Sequence, residues 1–198
     1  MLRTRRDIEA ILRPGVPGQL SEAQAATVVL QLMILATDPI DAEALRYVTR
    51  FFTPQDYDDL VEERTVISKC GYPLCAHTLR DSRGNVRNPN SATVLPWQHN
   101  YCRLPCYQAG QFYKEQLSVE PLITRENVAW QPYGTMHWEN DVLLLDEVRT
   151  LAALNKKSVL DTVKDIVKHQ GLEARMQELE IDQESHDKPT VGIKERHA

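Results

Sequence analysis

The sequence predicts a mainly helical fold, a helical bundle around a small irregular zinc module with four cysteine ligands. Three observations carry this. Helix-capping residues followed by apolar positions at helical spacing recur through the first third of the chain. The four cysteines, all that the chain has, fall in two close pairs between Cys70 and Cys106. Between and beside the pairs the chain is punctuated by Gly71, Pro73, Gly84, Pro89 and Pro96, the composition of turns. A chain of 198 residues, 42% of them apolar, can bury one substantial core, so a single helical domain over 1–180 is expected, with the zinc module at about 68–107.

The elements follow in order. Ser21 and Gln24 have capping-box spacing, and Ala25, Val28, Val29, Leu32 and Ala36 then recur on one helical face. Asp41 caps a second helix with Leu45, Val48 and Phe52 as its apolar stripe. Thr53, Pro54 and Asp56 supply a cap, a first-turn proline and a reaching acid for a third, which should run to about Ile67. Its inner stripe is Tyr57, Leu60, Val61 and Arg64, while Asp56, Asp59 and Glu63 share another face. From Cys70 to Cys102 only short extended pieces such as Thr93 to Leu95 are expected. After Cys102 a helix resumes with Pro105 in its first turn and Cys106, Gly110, Tyr113 and Leu117 along one stripe. Two more helices are expected around Asp141 to Leu154 and Ser158 to Leu179, the last packing through Val159, Val163, Ile166 and Val167. Residues 181–198, polar and aperiodic, read as a disordered tail.

Composition narrows the function classes. A net charge of -5 opposes direct binding of nucleic acid, which depends on neutralising phosphates. The longest apolar run, Val28 to Ala36, falls well short of the roughly 20 residues that span a bilayer, so no membrane association is expected. Asp7 and Glu9 interrupt the basic N-terminus before any secretory apolar stretch, which points to an intracellular protein. In a reducing compartment clustered cysteines are metal ligands rather than disulfides. Their spacing, Cys-x4-Cys and Cys-x3-Cys separated by 26 residues, suits one tetrahedral zinc ion held by Cys70, Cys75, Cys102 and Cys106. The complete set of four makes His77 and His99 unnecessary as ligands. With no coordination position left for water, the ion is structural.

The run from Cys70 to Cys75, Cys-Gly-Tyr-Pro-Leu-Cys, preceded by Glu62, Glu63 and Arg64, is similar to the signature of the Rtr/RPAP family of atypical RNA polymerase II C-terminal-domain phosphatases. A second stretch from Tyr101 to Arg125, with Cys102, Cys106, Tyr107, Gln108, Phe112 and Tyr113, resembles the family's second zinc half and following helix. Histidine at the last ligand position is acceptable in some relatives, so the zinc set implied for this chain rests on Cys106 itself. The resemblance implies a nuclear protein, shuttling with the cytoplasm, that removes phosphate from serine in the polymerase tail repeat, principally at the fifth position. It also implies contact with polymerase assembly or import factors.

Established phosphatase designs do not account for the chemistry. A cysteine phosphatase places its arginine after five intervening residues, whereas four separate Cys75 from Arg80. Asp56 and Asp58 have the letters of an aspartate phosphatase, but on a helix their carboxylates diverge by about 200°. What remains is the helix entering the zinc module. There Glu63 is the candidate to orient water, and Arg64 the candidate to hold phosphate. Tyr107, Tyr113 and Lys114 are candidates to bind a proline-rich phosphopeptide, and Arg80, Arg83 and Arg87 form a basic loop. The alternative reading is a non-catalytic zinc module that escorts or assembles the polymerase.

Overall fold

The computed structural model describes residues 2–12, 17–79, 96–136, 139 and 141–171. The expected basic loop at Arg80, Arg83 and Arg87, the extended piece at Thr93 to Leu95 and the tail from 181 lie outside these. The described residues are helical, with no strand and only isolated bridges at Arg3–Ile40, Gln19–Glu126 and Lys69–Thr78. No described helix is long and apolar enough to cross a membrane.

Helix α1, Arg5–Leu12, was not among the expected elements, although Thr4 and Asp7 form its cap: Asp7 accepts from the Thr4 amide at 2.7 Å and from its hydroxyl at 3.0 Å. Helices α2 (Glu22–Ala36), α3 (Ala42–Val48) and α4 (Pro54–Val66) start at the expected caps Ser21, Asp41 and Thr53, each side chain accepting an amide hydrogen bond of the first turn. Helix α5 is Leu104–Lys114 and α6 is Leu145–Leu154, which begins four residues after the expected Asp141. Residues 159–171 continue as helix α7, where Val163 and Ile166 are half-buried and Val159 and Val167 exposed.

The chain gathers into two compact units, Met1–Glu147 and Val148–Ala198, and the single domain expected to reach residue 180 spans this division. In the first unit α2 buries Ala25, Leu32, Leu35 and Ala36, and α4 buries Tyr57, Leu60, Val61 and Arg64, the stripe expected from its spacing. The α5 residues Cys106, Gly110 and Tyr113 face the same core, joined by Leu117 from the turn after the helix, which ends three residues short of the expected stripe. The cysteines are therefore part of the core and not an appendage to it.

With no sheet to absorb them, the carbonyls of the irregular segments need other donors. Arginines provide them. Arg50, wholly buried, pairs with buried Glu139 through Nε and Nη2 and donates to the carbonyls of Val128, Gln131 and Pro132. Arg125 closes another turn by donating to the carbonyls of Arg50, Phe52, Ser118 and Glu120. Removing one partner of a buried pair leaves an unpaired charge, at a cost of about 3–5 kcal/mol. Arg50→Ala should lose about that much stability in a denaturant titration. Arg50→Met with Glu139→Leu should recover only part of it, because three carbonyls stay without a donor.

Candidate metal centre and surrounding site

The path into the first cysteine pair is set by how α4 ends. Ser68 adopts a left-handed backbone, φ 62°, while its amide bonds the carbonyl of Thr65 and the Lys69 amide reaches back to that of Arg64 at 2.8 Å. This closes the last turn and turns the chain sharply. A short ladder follows: Leu79 donates to Ser68, and Cys70 to His77 at 3.1 Å, bringing Cys70 and Cys75 to one tip. Gly71 is required there. A Cβ at this position would lie 2.8 Å from Val61 Cγ1 and 2.9 Å from the Asn100 carbonyl, the same carbonyl that takes the Gly71 amide at 2.7 Å. That bond docks the first pair on the approach to the second. Cys102 precedes α5, and Cys106 lies in its first turn, where the helix dipole favours thiolate.

The four sulfurs lie within 4.8 Å of one another, all on buried residues, and none forms a disulfide. Cys75 to Cys102 and Cys102 to Cys106 are each 3.6 Å. A tetrahedral thiolate site with metal–sulfur bonds of about 2.3 Å has sulfur–sulfur edges of about 3.8 Å, so the spacing suits one ion. Amides also point at the sulfurs: Cys102 donates to Cys70 Sγ at 3.4 Å, and His77 to Cys75. The thiol Cys75 is held far below its ordinary range by hydrogen bonds from Cys106 and Cys70, whereas Cys106 is pushed far above it by its bonds to Cys70 and Cys75. Four crowded sulfurs cannot all ionise unaided, and their arrangement is compatible with a bound metal ion.

Arg64 organises this centre from behind. Its Nε donates to the Cys70 carbonyl at 2.7 Å, and its Nη2 to those of Tyr72 at 3.2 Å and Cys75 at 2.9 Å. Its Nη1 donates to the carbonyls of Ala36 at 2.5 Å, Thr37 at 3.1 Å and Asp38 at 3.1 Å, at the end of α2. The phosphate-holding role expected for Arg64 is thereby corrected: the residue has no exposed surface and its donors are committed to six carbonyls.

Tyr113, expected to touch substrate, is also internal. Its hydroxyl donates to the Leu45 carbonyl at 2.9 Å and bonds Thr49 at 3.0 Å, and burial pushes its pKa up. Glu63 is exposed on α4, about 100° around the helix from Arg64, so the two cannot converge on one ligand. Lys114 pairs with Asp58 at 2.5 Å, about 140° around α4 from Glu63. The aspartates set aside as an accidental match have separate duties, Asp56 in the Thr53 cap and Asp58 with Lys114. Tyr107 is half-buried, stacked on Trp97 with centroids 6.4 Å apart and met edge-on by Tyr101 at 5.5 Å. Sequence reasoning missed Trp97, and also missed Arg103, an exposed cation whose guanidinium bonds the Cys102 thiol. Its place beside Cys102 was the available signal. The His77 ring lies 3.4 Å from Cys75 Sγ, outside the set of four sulfurs.

Residues 50–118 match the model of the Rtr1/RPAP2 family. The chain is 34% identical over 119 residues to the RNA polymerase II subunit B1 CTD phosphatase RTR1 of Saccharomyces cerevisiae, covering 56% of this chain and 53% of that one. A bovine relative, named a putative RNA polymerase II subunit B1 CTD phosphatase RPAP2, is 26% identical over 83% of this chain and only 27% of its own length. The chain thus spans about half of the yeast relative and about a quarter of the bovine one. Among solved structures, the transcription regulator Rtr1 from Kluyveromyces lactis superposes with a TM-score of 0.55 at 32% identity, covering 66% of this chain and 91% of that one.

Arg64→Lys keeps the charge but loses the planar fork that serves both the α2 end and the cysteine turn. It should cost at least about 3 kcal/mol in denaturant titration, since several buried carbonyls lose charged donors. Bound metal should also pass faster to a competing chelator. Unchanged stability and metal retention would show that Arg64 does not hold the centre together.

Proposed function

The chain belongs to the Rtr1/RPAP2 family, and from that membership we propose that it is an atypical protein phosphatase acting on the phosphorylated C-terminal domain of RNA polymerase II. The observation that carries the reading is that the segment matching the family, 50–118, contains all four clustered cysteines of this chain, whose relatives are named CTD phosphatases. The centre holds one structural zinc ion. Four sulfur donors select a soft or borderline ion, and with all four coordination positions filled the ion fixes the fold while other residues act on substrate. Glu63 is the carboxylate that orients water; Tyr107 and Lys114 contact the peptide, Lys114 exchanging Asp58 for phosphate. Phosphoserine at the fifth repeat position is the principal target. The protein works in the nucleus, shuttles with the cytoplasm and meets polymerase assembly or import factors.

A second reading is favoured by one observation: Arg64 and Tyr113 are committed internally, and Glu63 and Lys114 face different sides of α4. On that reading the zinc-braced surface binds polymerase without turnover.

Protein purified without chelator should contain one zinc per chain, and Cys70→Ser or Cys106→Ser should give aggregated or poorly folded material, because structural zinc supplies roughly 10 kcal/mol or more of binding energy linked to folding. Elemental analysis finding no zinc would refute the assignment. Phosphate release from a synthetic phosphorylated tail repeat should fall at least about tenfold in Glu63→Gln, about 1.4 kcal/mol of barrier, with zinc content and melting temperature unchanged. Full activity in that variant removes Glu63 from the mechanism. Binding of the repeat without any phosphate release by the wild type establishes the second reading.

A further inference from the structure

Helix α2 is apolar on more faces than the core uses. Its inner face buries Leu32, Leu35 and Ala36, yet Leu30 is 58% exposed and Ile34 63% exposed. With exposed Ala26 they form a stripe at four-residue steps along the outer side. Gln24, Thr27 and Gln31 supply the polar strip that a half-buried helix needs, so this second apolar stripe is in excess of what the core covers. Beside this stripe lies a groove of about 480 Å³, floored by Val29, Leu30 and Met33 of α2 and closed by Ile123, which is itself 43% exposed. The ionisable groups lining it are Glu22, Asp56 and Asp59, all carboxylates, with no cation among the described lining residues.

We propose that this groove, between α2 and the start of α4, docks an amphipathic helix of a partner protein bearing aliphatic residues on one stripe and lysine or arginine along its edge. The charge selects the occupant. A second copy of the chain would bring two sets of three carboxylates together, and a phosphorylated peptide would meet the same repulsion. The groove walls offer helix faces and a turn, with no strand edge to pair with an extended chain, whereas a helix satisfies its own backbone and delivers anchors at i, i+4 and i+7. This surface is separate from the thiolate centre and does not depend on phosphatase activity.

The test uses the full chain and a fluorescent synthetic helix of about 16 residues, with leucines at those spacings and lysines along one edge, beside a copy whose lysines are replaced by glutamates. The lysine peptide should bind in anisotropy, more weakly as salt rises, and the glutamate copy at least about tenfold less well. Leu30→Glu and Asp59→Lys should each weaken the lysine peptide at least about tenfold without lowering melting temperature, because both side chains are exposed. Failure of the lysine peptide to bind, equal binding of the two peptides or indifference to both variants would overturn the proposal. So would a wild-type dimer in sedimentation that Leu30→Glu dissolves, which would assign the face to a second copy.

Discussion

The guanidinium of Arg64 is the constraint on which the rest of the first unit depends. A buried cation is costly unless every donor is satisfied. Here satisfaction comes from six carbonyls in two places, the end of α2 and the loop carrying Cys70 and Cys75. The carbonyls that α2 leaves without partners form the negative end of its dipole, so the cation is favoured there as well as hydrogen-bonded. One side chain on α4 therefore ties helix end to metal loop. Because its fork is planar and rigid, it also sets the distance between them.

The same solution recurs around Arg50 and Arg125, which gather carbonyls from the stretches at 118–120 and 128–132. This follows from the absence of strands among the described residues: a helical protein with long irregular connections has many carbonyls that no ladder can pair. Tyrosines fill the remaining gaps on the metal side. Gly110 leaves space where a Cβ would lie 2.8 Å from the Tyr57 hydroxyl and 3.0 Å from Tyr101, letting α5 approach α4 closely enough for the two cysteine pairs to meet.

A brace of this kind gives residues adjacent in sequence opposite surroundings. The thiolate centre and Arg64 face inward and hold shape, whereas Glu63, Tyr107, Lys114 and Arg103 are at least partly exposed around it. The electrostatics of that outer set are divided. Asp59, Glu62 and Glu63 give α4 an acidic outer side, while Arg103 sits at the start of α5 beside the sulfurs.

The sequence by itself determined the features governed by local rules: the caps at Ser21, Asp41 and Thr53, the α4 and α5 stripes, and the four cysteines as one cluster. The Thr4–Asp7 cap of α1 was legible by the same rule and was passed over. Only the tertiary structure decided what Arg64 and Tyr113 do. Spacing places both on inward stripes, but a polar group on such a stripe is compatible with a ligand, an ion pair or a backbone acceptor. The partner that answers it, the α2 terminus for Arg64 and the Leu45 carbonyl for Tyr113, comes from 26 to 28 and 68 residues away. A buried donor takes the acceptor that the fold brings to it, and no local pattern encodes which one that will be.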